Sequence, residues 1–341
     1  MTAADFVLAF MFAGLTAYAL FGGADFGAGF WDLVAGGDQR GMAPRRLITH
    51  AIGPVWEANH VWLIFVLVVL WTGFPPAFAA VASTLYLPLT AAALGMIARG
   101  SAFAFRNTVS SLALQRLLGA AFAFSSVVTP FFLGTVAGGV ASGRVPPGIA
   151  KGNVITSWLN PTSLLGGVLA AGTCAYLAAV FLAGDARREG DVVLSGWFRT
   201  RALATAVVVG LVALVGIAIL HADAPRLFAG LTHRGLPLVL ISALAGLVSI
   251  VLLLRDRLAA ARLAAGLAVT AVIWGWGAGQ YPYALEPQLT VDAAAAPPAT
   301  LRALLATLLV GSMILVPSLV YLYALFQRAP AQSAADHGRS T

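Results

Sequence analysis

The run DFVLAFMFAGLTAYALFGGA, residues 5–24, carries one charged side chain in its whole length and none of the two-residue alternation of a barrel strand. A helix rising about 1.5 Å per residue needs about 20 such residues to cross roughly 30 Å of hydrocarbon. The stretch therefore reads as a membrane span, with helix continuing toward Ala35. Working outward, residues 51–73, 77–98, 114–137, 162–184, 202–221, 236–254, 261–280 and 301–326 are comparably apolar, which makes nine spans. Within lipid a backbone must satisfy its own hydrogen bonds, so the fold class is all-α: a polytopic membrane bundle of about nine transmembrane helices. Ala17-Tyr18-Ala19 imitates a signal-peptide cleavage site, yet the first basic residue is Arg40, after the span, and the first helix is expected to be retained.

Composition supports the same class. Of 341 residues, 60% are hydrophobic and 10% charged, against about 45–50% and about 25% in soluble proteins. A soluble enzyme, a disordered chain and a disulfide scaffold are excluded. The net charge of +7 does not point to nucleic acid, because the basic residues stand singly between apolar runs. They read instead as topology signals. One face receives Arg40, Arg45, Arg46, Arg99, Arg106, Arg116, Arg187, Arg188, Arg199, Arg201, Arg255, Arg257, Arg262, Arg328 and Arg339; the other receives only Arg144, Lys151, Arg226, Arg234 and Arg302. The positive-inside rule then puts the N-terminus outside and the C-terminus in the cytoplasm. Residues 1–328 form a single integral membrane domain, since the longest gaps, near 138–161 and 281–301, are too short for a soluble one. Residues 329–341 have no apolar period and are expected to be a disordered cytoplasmic tail.

An ionisable group at membrane depth costs at least about 2.5–3.5 kcal/mol, so each is a candidate for function. Asp25, Gly29, Asp32 and Gly36 recur along one face of the first helix. The bland reading makes the glycines packing residues and Asp32 a solvated helix end. The second helix opens on His50 and Pro54, then Trp56, Glu57, Asn59, His60 and Trp62. Pro54 suits a first turn. Glu57 and His60 stand three apart on one face, a spacing that suits proton exchange or shared binding of a cation. The alternative is that Trp56 and Trp62 are interfacial belt residues and the polar pair sets helix registry. No other pair has metal-ligand spacing, and no haem-attachment, P-loop, dinucleotide or zinc-protease motif occurs, so no metal site is expected in this chain. His221 and His233 read as solvated loop ends, Cys174 as a small packing residue. Trp274 to Tyr283 reads as aromatic belt, or as a quinone or partner contact. To this point a proton-coupled secondary transporter and a respiratory subunit are equally open.

The motifs separate them. GGADFGAGFWDL (residues 22–33) with AIGPVWEANHVWL (residues 51–63) closely resembles subunit II of the cytochrome bd-type quinol oxidases. RGSAFAFR at 99–106, LNP at 159–161, YPY at 281–283 and LTV at 289–291 extend the resemblance over nearly the whole chain. It implies one subunit of a quinol:O2 oxidoreductase of the bacterial inner membrane, with four-electron reduction of O2 to water. It also implies that haem b, haem d and the quinol site lie on subunit I, with a small single-span accessory subunit as a further partner. This chain would bind no haem, a structural quinone being the one ligand left open. Asp25 and Glu57 match the family's first- and second-helix acids, linked to proton supply or the haem environment. His60 falls where Gln is also found, so no obligatory imidazole is implied. Arg99 and Arg106 match cytoplasmic-side arginines, and Ala104 replaces a residue that is often acidic. Gly29, Trp56, Asn59 and Trp62 are the subunit-interface candidates.

Overall fold

The computed structural model describes residues 2–37, 39–53, 56–105, 109 and 111–327, without the side chains at 56, 112 and 322–327. The first span is three pieces on one axis. α1 (Ala3–Ala17) starts at a capping box in which Thr2 and Asp5 satisfy each other's backbone N–H groups. A π-helical turn (Tyr18–Gly22) follows, then α2 (Gly23–Leu33). α3 (Met42–Ile52) and α4 (Trp56–Gly73) meet at a bend of 55°. α5 (Pro75–Thr84), α6 (Tyr86–Phe105), α7 (Leu112–Ala141), α8 (Pro161–Arg188), α9 (Val192–Asp223), α10 (Pro225–Thr232), α11 (Leu236–Leu254) and α12 (Leu258–Gln280) continue the bundle. A hairpin of β1 (Tyr283–Leu285) and β2 (Leu289–Thr290), the single turn α13 (Val291–Ala294) and α14 (Pro298–Gln327) complete it.

Among the described residues eight helices are long and apolar enough to cross a membrane, nine if the bent α3–α4 pair counts as one span. The expected nine match the upper count, with two corrections to boundaries. The span expected at 77–98 is two helices, and the crossing run is Tyr86–Phe105. Pro88 sets this break: it has no N–H for the carbonyl four residues back, and that carbonyl belongs to Thr84, where α5 ends. The span expected from residue 51 starts later, because Ala51 and Ile52 close α3. Pro54, expected in a first turn, and the tail at 329–341 lie outside the described residues.

α2 lies between α7 and α8, with α6 behind α7, α9 behind α8 and α12 beside α8. Trp31, Ile48, Phe122, Leu177, Phe198 and Leu253 are the large side chains of the core they share. A second core joins α1, α4 and α5 to the hairpin and α14 through Val7, Val69, Phe74, Leu85 and Leu285. Two bidentate or branched ion pairs tie helix ends together. Arg144 grips Asp223 at 3.0 and 2.6 Å while Thr162 donates to the same carboxylate, and at the opposite end Asp185 accepts from Arg188 and Arg262. The segment expected as an aromatic belt turns inward: Trp274 donates to Thr16, Trp276 to Gln280, and both rings pack on Phe12. Outward faces of α9 and α14, with Leu211, Leu214, Leu309 and Met313 exposed, remain apolar.

Glycine is required where α2 meets α8. A Cβ on Gly27 would stand 1.8 Å from the Cys174 carbonyl oxygen, which is backbone and cannot rotate away. Gly27→Ala is therefore expected to force the helices apart and cost about 1–3 kcal/mol, read as a lower thermal midpoint of the detergent-solubilised protein. An unchanged midpoint would show that α2 and α8 can separate freely.

Candidate functional site

The first helix acid and the sixth helix arginine meet in the core. Asp25 is 4% exposed and Arg99 1%. Arg99 Nη2 donates to Asp25 Oδ1 at 2.8 Å and to the Asp25 carbonyl oxygen at 3.2 Å, while its Nε donates to Ser126 Oγ at 2.9 Å. Ser126 in turn donates to the Phe122 carbonyl oxygen. The guanidinium lies 4.8 and 4.9 Å from the ring centres of Phe26 and Phe122, a cation between two π faces. The fold makes this possible through small residues: Gly29 faces Ser126 so closely that a Cβ would lie 2.2 Å from its hydroxyl. α2 can thus approach α7, and the arginine of α6 reaches across both. Arg99 was expected as a cytoplasmic-side arginine of the family; it is among the largest fully buried side chains of the described residues. A charge at that depth is held only by a counter-charge and hydrogen bonds beside it.

Asp32 departs from its expectation in the same way. It is 6% exposed and accepts from Arg45 Nε at 2.8 Å, so it is a buried link from α2 to α3 and not a solvated end.

The π-helical turn directly precedes this pair. Such turns widen a helix by one residue and recur at functional sites. Here the Gly23 N–H reaches the Tyr18 carbonyl oxygen five residues back, and Asn59 Nδ2 donates to the Phe21 carbonyl oxygen at 3.4 Å. Asn59, 3% exposed, is therefore bound inside the chain. Gly29 and Asn59 were expected at a subunit interface; both are internal, because the first helix packs on α7 and α4 of its own chain. Trp62 is half-buried with its ring on Phe65.

Glu57 and His60 do not meet. The Glu57 side chain is exposed and has no hydrogen-bond or ion-pair partner among the described residues. His60 is half-buried, with its ring edge-on to Phe26 at 5.8 Å. Three residues on a helix bring Cβ atoms close but leave the side chains free to diverge, one inward and one outward. The Trp56 side chain and Arg106 lie outside the described residues. Ala104 lies on the exposed surface of α6, two residues before Arg106. Among the described residues no group of three or more His, Cys, Asp or Glu side chains could hold a metal ion. Sequence reading missed Ser126, Phe122 and Tyr18, which carry no motif; the one available signal was that the apolar run continues past Arg99 to Phe105.

A sequence model described as cytochrome bd terminal oxidase subunit II matches residues 3–326. The chain is 31% identical over 173 residues to cytochrome bd ubiquinol oxidase subunit 2 of Bacillus subtilis, covering 50% of this chain and 49% of that protein. It is 29% identical over 212 residues to cytochrome bd-I ubiquinol oxidase subunit 2 of Escherichia coli K12, covering 60% of this chain and 52% of that one. The aligned stretches thus span about half of each relative. A chain in the structure of the bd oxidase from Geobacillus thermodenitrificans superposes with a TM-score of 0.81 at 26% identity, over 97% of this chain and 100% of that one. With the nearly complete match to the family model, a helical membrane bundle of the same architecture and the paired motifs of its first two spans, this chain belongs to the cytochrome bd terminal oxidase subunit II family.

Proposed function

We propose that this chain is the second subunit of a terminal quinol oxidase of the bacterial inner membrane, working in the respiratory chain to pass electrons from quinol to O2. The observation that carries the reading is the family match over residues 3–326, joined to full-length structural likeness to a bd oxidase chain. In this reading haem b, haem d and the quinol site belong to subunit I. A single-span accessory subunit is a further partner. The arginine-rich end faces the cytoplasm, with the N-terminus outside.

The haems, when bound in the partner, supply the redox chemistry; the residues here support it in two ways. The Asp25–Arg99 pair neutralises charge inside the bundle and fixes α2 against α6, so that the subunit presents one shape to its partner. Glu57 opens α4 on the outside of the bundle, where a carboxylate facing hydrocarbon alone would be costly and a polar partner surface relieves that cost. Reduction of O2 to water consumes protons that must enter the membrane, and Glu57 is placed to hand them to a route along the subunit boundary. His60 and Trp62 line the same helix one turn deeper.

Purification of the tagged chain from its own membrane in mild detergent tests the assignment. A larger haem-bearing partner is expected to accompany it, with reduced-minus-oxidised bands of b- and d-type haem and quinol-dependent O2 uptake. A haem-free chain that purifies alone from such membranes would overturn it.

A further inference from the structure

The short helix α3 has two unlike faces. Pro44, Leu47, Ile48 and Ile52 are buried, and the last three join the core around α2, α7 and α8. On the other face Met42, Arg46, His50 and Gly53 follow one another at spacings of four, four and three, which aligns them along the helix. A groove of about 640 Å³ opens there, lined by Arg45, Arg46, Thr49, His50 and Gly53. Its described lining holds two guanidiniums and an imidazole, and no carboxylate. Arg45 is already engaged: its Nε donates to Asp32 Oδ1 at 2.8 Å and its Nη2 to the Gly36 carbonyl oxygen at 2.7 Å, so its charge is balanced and it forms a fixed wall. The Thr49 hydroxyl donates to the Arg45 carbonyl oxygen. Arg46 and His50, both exposed, have no hydrogen-bond or ion-pair partner among the described residues.

A free guanidinium and an imidazole one turn apart, set over a walled groove, fit an anion with several acceptor oxygens. Phosphate matches the planar guanidinium fork with two oxygens at once. The surroundings select the kind of phosphate. Met42, one turn before Arg46 on the same face, is 68% exposed, and Leu33 and Val34, which follow the Asp32 that holds Arg45, are exposed as well. Such side chains gain nothing from an anion in water but are covered by acyl chains. Apolar and basic residues together at the end of a membrane bundle are the combination that engages lipid headgroups. We propose that the α3 groove binds the phosphate of an acidic phospholipid in the leaflet at the arginine-rich end of the bundle. Arg46 and His50 hold the headgroup oxygens, and Met42, Leu33 and Val34 lie against the chains. The site is independent of the oxidase reading and of Glu57.

The protein purified from its own membrane with its partners, then stripped of lipid in detergent, is the material for the test. Phosphatidylglycerol is expected to raise the thermal midpoint saturably, and phosphatidylcholine with the same acyl chains to do so only at much higher concentration. Arg46→Gln with His50→Gln changes two exposed side chains that have no internal partner. It is expected to leave the lipid-free midpoint unchanged and to weaken the phosphatidylglycerol response about tenfold or more. Arg255→Gln with Arg257→Gln, exposed in the turn between α11 and α12, is the control and should respond as wild type. No response of the wild type, equal responses to the two lipids, equal losses from the two variant pairs, or the same shift from inorganic phosphate alone overturns the site. A variant at Arg46 and His50 that sheds a partner subunit while keeping the lipid response also overturns it, and assigns the groove to a protein contact.

Discussion

Arg99→Leu is expected to cost about 3–5 kcal/mol of stability, enough to lower the thermal midpoint sharply and to reduce the yield of assembled complex. The reason is asymmetric. Intact, the guanidinium is satisfied by a carboxylate, a backbone carbonyl, a hydroxyl and two aromatic faces. Once it is gone, the Asp25 carboxylate remains 4% exposed with no counter-charge beside it, and its hydration cannot be recovered without opening the bundle. Asp25→Leu in the same protein strands the guanidinium instead and should cost a similar amount. The double substitution removes both charges and is expected to recover most of the loss, because a buried ion pair is replaced by apolar groups at little net cost. A double-mutant cycle on the thermal midpoint measures this directly. Additive losses would show that the two residues act separately and that the pairing does not hold α2 to α6.

Glu57→Gln carries the largest expected effect on activity: a fall in quinol-dependent O2 uptake of about tenfold or more, with haem content unchanged. Stability and chemistry separate cleanly at this position. The side chain is exposed and has no partner in its own chain among the described residues, so the amide, equal in size, disturbs no internal contact. What it removes is the ability to carry a proton. Unchanged uptake in an assembled, fully haem-loaded complex would sink the proton-supply reading. Loss of haem together with uptake would assign Glu57 to the contact with the partner subunit instead.

The two residues also show how far a sequence can be read. Glu57 and Asp25 stand out because charge inside an apolar run is costly wherever it occurs, and their surrounding motifs mark the family. Arg99 was legible as an arginine near the end of a span and as a match to the family's cytoplasmic-side arginines, but not as one half of a buried pair. Its partner lies 74 residues away, and no local period links the two. Gly29 and Asn59 were recognised as contact residues but given to the wrong surface: small size and polarity announce close approach, not which helix does the approaching. The break between α5 and α6 was obscured because no charged residue or glycine marks it, and only Pro88 interrupts the ladder.

The amino-acid sequence by itself determined the all-α class, the number of crossings to within one, the arginine asymmetry and the family motifs. These follow from forces that act on each segment separately: the thickness of hydrocarbon, the need of each backbone group for a partner, and the cost of charge in lipid. Tertiary structure alone decided that Asp25 answers Arg99, that Asp32 answers Arg45, and that Glu57 and His60 part company. Those pairings depend on how helices distant in sequence rotate about their axes to bury their large side chains. A rotation of one helix moves every polar group on it without changing a single residue.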